Sequence, residues 1–199
     1  MDRQAIVEAA FVKGEPTPAI SRGVPEWSST IDELGAGAKY YQYDPQEARR
    51  LLAEAGFPNG FKTQCTVTSG LGPDFIDAAQ LAQRYLKDAG IEAELKLQEV
   101  GAYTATTFVG KFDGMVIGPF ALTIEPHSTL YGLYTPDQPR NSSHVNDPKI
   151  TVMLKEEMRT KDLEARKKII FDIQRYAAEQ QYYDVSLPRG HHWLLAAVS

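Results

Sequence analysis

The chain has 199 residues, 43% of them hydrophobic and 24% charged, with a formal net charge of -5. That is enough chain for one domain or one large lobe with a proper core, and an acidic balance argues against a general nucleic-acid binder, which carries a basic face. No apolar run approaches the ~20 residues of a membrane-crossing helix, Met1 to Val7 lacks a basic-then-apolar leader pattern, and the one cysteine, Cys65, forms no internal disulfide. The chain is then either cytoplasmic or part of a longer precursor.

Asp2 to Val12 reads as a short helix ended by Gly14, Pro16 and Pro18. Glu15 to Gln42 shows no sustained period and reads as a long irregular segment, which in a compact domain usually has a task or wraps a neighbour. The next helix is strongly signalled. Asp44 caps it, Pro45 fits its first position and Glu47 stands where a capping box places its acid. Ala48, Leu51, Leu52 and Ala55 make its apolar stripe, and Gly56 supplies a left-handed exit.

Phe61, Thr63, Cys65 and Val67 alternate with polar residues, a strand period. After a turn at 69–73, Phe75, Ala79, Ala82, Leu86 and Ala89 share one helix face that ends at Gly90. Ile91, Ala93, Leu95 and Leu97 then alternate with Glu92, Glu94, Lys96 and Gln98. Strand, helix, strand predicts a right-handed βαβ unit with parallel strands. A short helix over Ala102–Val109 follows, then a buried strand over Phe112–Ile117 and irregular chain to Asn146. Asp147-Pro148 repeats the cap-then-proline signal and starts a helix to about Arg159. A last helix runs from Asp162 to about Gln180 with Leu163, Ile170, Ile173 and Ala177 inward, and Tyr183–Leu187 reads as a strand.

Chemistry-bearing patterns are few. Gly70 and Gly72 lack phosphate-loop spacing, and Pro73 removes an amide donor. His191 and His192 are adjacent and point apart, and His127 and His144 have no ligand partners at recognisable spacing, so no metal site is expected. Cys65 reads as a buried, inert thiol. The carboxylates, Glu156-Glu157 and Asp162/Glu164 among them, fall on helix faces expected to be solvated. No residue is assigned a catalytic role, and no cofactor is expected.

One segment, Tyr43-Asp44-Pro45-Gln46-Glu47-Ala48-Arg49-Arg50-Leu51-Leu52-Ala53-Glu54-Ala55-Gly56-Phe57-Pro58-Asn59-Gly60-Phe61, closely resembles a motif of the family 5 extracellular solute-binding proteins, the peptide, nickel and oligosaccharide receptors of ABC importers. Asp2 to Val7, Leu86 to Ile91, Phe112 to Met115, Asn146 to Pro148 and Arg166 to Ile169 resemble further family segments in the family's order. The resemblance implies an α/β fold: a type II periplasmic binding protein-like lobe, with a mixed sheet flanked by helices. Residues 1–199 would form the C-terminal lobe of a two-lobe receptor, its N-terminal lobe outside this chain. The full receptor would be periplasmic or extracellular and membrane-associated, with a small solute or oligopeptide-like ligand and ABC permease subunits as partners.

Ligands of open α/β sheets sit at the carboxyl ends of strands, at a switch point. That selects Gly118-Pro119-Phe120-Ala121-Leu122-Thr123 and Glu125, in agreement with the resemblance. In peptide receptors of the family an Asp in this segment pairs with the ligand's α-ammonium, and a Trp precedes it. This chain has Leu122 and Pro119 at those positions, so the peptide-amine anchor is expected to be absent, because an ammonium desolvated without a counter-charge is costly. Glu125 either takes over part of that role or is solvated, and Phe120 is expected as a pocket wall. Trp27 either stacks on a ligand or, more economically, anchors its loop. Asn141 either faces the cleft or belongs to a surface turn. Two other functions fit less well: the sensing domain of a regulator, and a cleft enzyme built from Thr123, Glu125 and His127.

Overall fold

A computed structural model describes residues 1–10, 20, 24–119, 125–186 and 193–197. In chain order the elements are α1 (Arg3–Ala10), a 3-10 segment (Ile31–Tyr41), α2 (Pro45–Glu54), β1 (Phe61–Thr68), α3 (Pro73–Ala89), β2 (Ile91–Gln98), α4 (Val100–Ala105), β3 (Met115–Pro119), α5 (Pro126–Tyr134), α6 (Pro148–Arg159), α7 (Leu163–Gln180), β4 (Asp184–Ser186) and β5 (Trp193–Ala197). The strands form one sheet in the order β2-β1-β3-β5-β4. β1 pairs parallel with β2 over its whole length and with β3 over Cys65–Val67, whereas β5 runs antiparallel to both β3 and β4. The α/β class with a mixed sheet is as the sequence implied.

The chain leaves β1 toward β2 and returns to β3 on β1's other side. A constant crossover hand then puts the two connections on opposite faces of the sheet. α3, in the first connection, packs Phe75, Ala78, Ala79, Ala82 and Leu86 with Cys65, Val67, Ala93, Met115 and Ile117. Tyr103 of α4, in the second, belongs to a separate core with Val116, Leu130, Leu133, Ile150, Leu154, Ile170 and Ile173. Strand alternation divides β3 between the two cores: Met115 and Ile117 face α3, and Val116 faces the other way.

Local chemistry explains most boundaries. Asp44 Oδ1 accepts the Glu47 amide at 2.9 Å, and Asp147 Oδ1 accepts that of Lys149 at 2.6 Å. Glu47 does not close a capping box. Its carboxylate accepts from Arg50 instead, at 2.6 Å. Gly90 ends α3 at φ 102°, in the left-handed region that favours glycine, and its carbonyl accepts the Phe61 amide at 3.1 Å. Asp147 Oδ2 also accepts the hydroxyls of Tyr176 and Tyr182, which ties the start of α6 to the end of α7.

Several expectations change. The 3-10 segment lies inside the stretch read as irregular, and its Leu34 and Tyr41 pack on Ala178 of α7. α5 lies inside another. Its start, Glu125-Pro126, is the same acid-then-proline signal that marks α2 and α6, with Glu125 accepting the Ser128 amide at 2.9 Å. α4 starts at Val100, with Glu99 as its cap, and breaks at Thr106 before a 3-10 turn over Thr107–Val109. β3 begins at Met115 because Gly114 turns at φ 76° hard against the β1 backbone, where a side chain would meet the Gln64 carbonyl at 2.6 Å. The stripe of α2 is not a core face: none of its residues is buried, and Leu51 is 36% exposed. Leu163, expected inward, is 54% exposed at the first position of α7. β5 was not anticipated.

Candidate functional site

The strand order places a switch point between β1 and β3, where the chain departs in opposite directions from neighbouring parallel strands. The crevice at the carboxyl ends of such a pair is where open α/β sheets hold ligands. Thr68 ends β1, and Gly118-Pro119 end β3. Among the site residues selected from sequence, Gly118 and Pro119 form the carboxyl end of β3, while Phe120, Ala121, Leu122 and Thr123 lie outside the described residues.

Most polar groups at this end are consumed by the protein. Thr68 Oγ1 accepts the Gly70 amide at 3.3 Å, and Ser69 Oγ donates to the Gln98 carbonyl at 3.3 Å. The Gln98 side chain donates to Thr106 Oγ1 at 3.2 Å and accepts from Thr107 Oγ1 at 2.6 Å. Glu99 is committed to the Gly101 and Ala102 amides, at 2.8 and 3.2 Å, which hold its carboxyl below the usual range.

Tyr103 is different. Its side chain is buried, at 4% exposure, and its hydroxyl lies over Gly118, so that a Cβ at position 118 would overlap the phenol oxygen. No hydrogen bond reaches that hydroxyl among the described residues. Burial, with a smaller contribution from Cys65, pushes its pKa well above the usual tyrosine value.

Glu125 stands at the start of α5. Its Oε1 accepts from Arg166 Nη2, and its Oε2 accepts the Ser128 amide. Burial pushes its carboxyl upward, but the Arg166 hydrogen bond and the amides of Ser128 and His127 outweigh that and hold it below the usual range. Arg166 also donates from Nε to Glu157 Oε1 at 2.6 Å. Glu157 Oε2 accepts from His127 Nδ1, so that ring nitrogen carries the hydrogen. The Glu157 side chain is fully buried, against the expectation of a solvated face. The four side chains clamp α5, α6 and α7 together. Sequence inspection missed Glu157, although Ile150, Leu154 and Glu157 share one helical stripe and all three are buried.

Trp27 joins the clamp. The Arg166 guanidinium lies 5.4 Å from its ring centre and Lys167 Nζ 5.8 Å, while its carbonyl accepts from Gln174 Nε2 at 2.9 Å. That geometry is an anchor for its segment. Asn141 is 6% exposed, and its amide is fully used: Nδ2 donates to the carbonyls of Thr135 and Val145, at 3.1 and 2.8 Å, and Oδ1 accepts from the Val145 amide and the Tyr183 hydroxyl. It closes the loop between α5 and α6. Cys65 is buried, and burial raises its thiol to about 12, as an inert cysteine requires. Among the described residues no group of three or more His, Cys, Asp or Glu could hold a metal ion, and no helix is long and apolar enough to cross a membrane.

The family model of the bacterial extracellular solute-binding proteins, family 5 middle, matches residues 1–141. The chain belongs to that family. Heme-binding protein A of Haemophilus influenzae is 26% identical over 174 residues, which cover 85% of this chain and 31% of that protein. The glutathione-binding protein GsiB of Shigella flexneri is 37% identical over 106 residues, covering 53% of this chain and 20% of that protein. The structure of AgaA from A. tumefaciens R10, in complex with agropinic acid, superposes with a TM-score of 0.75 at 27% identity, over 98% of this chain and 40% of that one. The chain therefore spans less than half the length of these family members. Family 5 proteins are binding proteins, and the extracellular placement in the family's name is that of its members. Residues 142–199, with α6, α7, β4 and β5, lie beyond the family match.

Proposed function

We propose that residues 1–199 form the C-terminal lobe of the substrate-binding component of an ABC import system, which captures a small solute reversibly between two lobes and delivers it to a membrane permease. The observation that carries this reading is the coincidence of the family 5 match with a switch point between β1 and β3, at whose carboxyl ends open α/β sheets form a ligand crevice. Closure of a second lobe over that crevice would supply most of the desolvation. One lobe alone offers part of the contact surface and would bind weakly. The full receptor would work outside the cytoplasmic membrane, next to its permease.

The segment Gly118 to Thr123 would contribute to the solute site, with Phe120 as a wall and Leu122 where peptide receptors of the family place an ammonium-binding Asp. Glu125 does not supply the missing charge in this reading, because Arg166 and the Ser128 amide already hold both its oxygens. Glu125 and His127, which a cleft enzyme would need, are both spent on the clamp around Arg166 and Glu157. The ligand is then a solute held without an ion pair to a free amine from this lobe.

A thermal-shift screen of the receptor against free-amine tripeptides, glutathione, opines, oligosaccharides and metal chelates tests this. Stabilisation by an opine or an oligosaccharide is expected. A melting-temperature rise of several degrees with a free-amine tripeptide would overturn the claim made for Leu122, and no stabilisation by any member would count against solute capture.

A further inference from the structure

Two features at the carboxyl end of β3 work against stability and have no structural reason. Gly118 lies within β3, where glycine weakens a strand and leaves nothing to pack. Tyr103 brings a hydroxyl into a position where it finds no protein partner among the described residues, although phenylalanine would fill the same space without a polar group to desolvate. They are one feature, since only a glycine at 118 leaves room for that oxygen. Glycine in a strand often marks close approach by a ligand.

We propose that the Tyr103 hydroxyl is a ligand contact, donating a hydrogen bond from the floor of the crevice to an oxygen atom of the solute, and that position 118 is glycine to admit it. The inference rests on the reading of this chain as a solute-binding lobe and sharpens it. The hydroxyl is not among the unpartnered polar atoms sealed from solvent. α4 carries the ring into a core shared with Val116 and Leu130, with Glu99 capping that helix and the Gln98–Thr107 bond closing the turn after it. The oxygen is thereby fixed before any ligand arrives, which limits the ordering that binding must supply.

The chemistry of the group selects the solute. A phenol with a raised pKa keeps its proton throughout the physiological range and donates to an acceptor. It cannot balance an ammonium charge. The matching partner is an oxygen of a carboxylate, carbonyl or sugar hydroxyl, so the solute is oxygen-rich. Carboxylate-bearing opines and neutral oligosaccharides share that chemistry.

The test is isothermal titration of the full two-lobe receptor, as wild type and as Tyr103→Phe, with three probes: agropinic acid, mannohexaose and triglycine. The wild type is expected to bind one of the first two, and the outcome separates a carboxylate from a neutral oxygen as the acceptor. Tyr103→Phe should weaken that probe on the order of 10-fold, the effect of one hydrogen bond lost. Its melting temperature without ligand should be equal to the wild type's or higher. Gly118→Ala should weaken the same probe at least as much by displacing the hydroxyl. Equal affinity of wild type and Tyr103→Phe would overturn this inference and leave the solute-binding reading standing. A ligand-free Tyr103→Phe melting several degrees lower would overturn it too, since the hydroxyl would then have a structural partner. Binding of triglycine that Tyr103→Phe leaves unchanged would overturn this inference, and binding of none of the three would overturn both readings.

Discussion

Glu157 follows Glu156 in a helix whose charges look solvated, yet its side chain is fully buried between His127 and Arg166. A carboxylate so placed depends on its partners, and they depend on it: without Glu157, Arg166 would keep one partner, Glu125, at a half-exposed edge. Removing one member of a buried pair costs about 3–5 kcal/mol, because the remaining charge is left uncompensated. Glu157→Ala should lose about that much in urea denaturation, and Glu157→Gln less, since the amide still accepts from Arg166. A loss under about 1 kcal/mol for the alanine variant would mean that the clamp is not formed. The position was legible in principle, three residues beyond Leu154 on the inward stripe, but a charge there is read as surface unless its partners are known. Those partners come from other helices, Arg166 from the next one and His127 from 30 residues earlier. The two roles that sequence left open for Trp27 and Asn141 depend on the same kind of distant contact, with Gln174 and Tyr183.

Capping chemistry was the most transferable signal. Asp44-Pro45 and Asp147-Pro148 start helices where they were expected, and Glu125-Pro126 does the same where none was expected. Glutamate is a weaker cap than aspartate by side-chain length, which makes the third case harder to see. Amphipathic pattern was less dependable. α2 has a well-formed stripe, but it lies against α3 with Tyr43 on Tyr85 and Leu52 near Gly90, so its apolar residues stay partly wet. α5 has a weak stripe and is nearly enveloped, with Leu130 and Leu133 at 0% exposure. Period reports one apolar face and not what covers it. Leu130→Ala should therefore cost about 2–5 kcal/mol, as a cavity in a packed core does, and Leu51→Ala less than about 1 kcal/mol. Chemical denaturation of the two variants decides this, and similar costs would mean that α2 is covered by something more than α3.

The βαβ unit and its parallel pairing followed from local alternation, because each strand's partner is the next strand in the chain. β5 did not, because it inserts between β3 and β4 by long-range antiparallel pairing that no local pattern encodes. A second long-range tie joins α1 to β4: Arg3 donates to both oxygens of Asp184, at 2.8 and 2.9 Å, with the pair almost buried and Tyr41 under the guanidinium. Arg3→Met should lower stability by about 3 kcal/mol through the stranded carboxylate, read as a shift of the urea midpoint. An unchanged midpoint would show that α1 is held by its apolar contacts with α3 alone.

The late insertion of β5 sets an order of assembly during synthesis. Met115 of β3 pairs with Ala197, so the strand at the middle of the sheet leaves the ribosome long before its second neighbour exists. Until then the half-built sheet of β2, β1 and β3 presents an open edge of unpaired amides and carbonyls beside apolar Val116 and Ile117. That interval is when a nascent chain is most open to wrong strand pairing, and when a holding chaperone has most to protect.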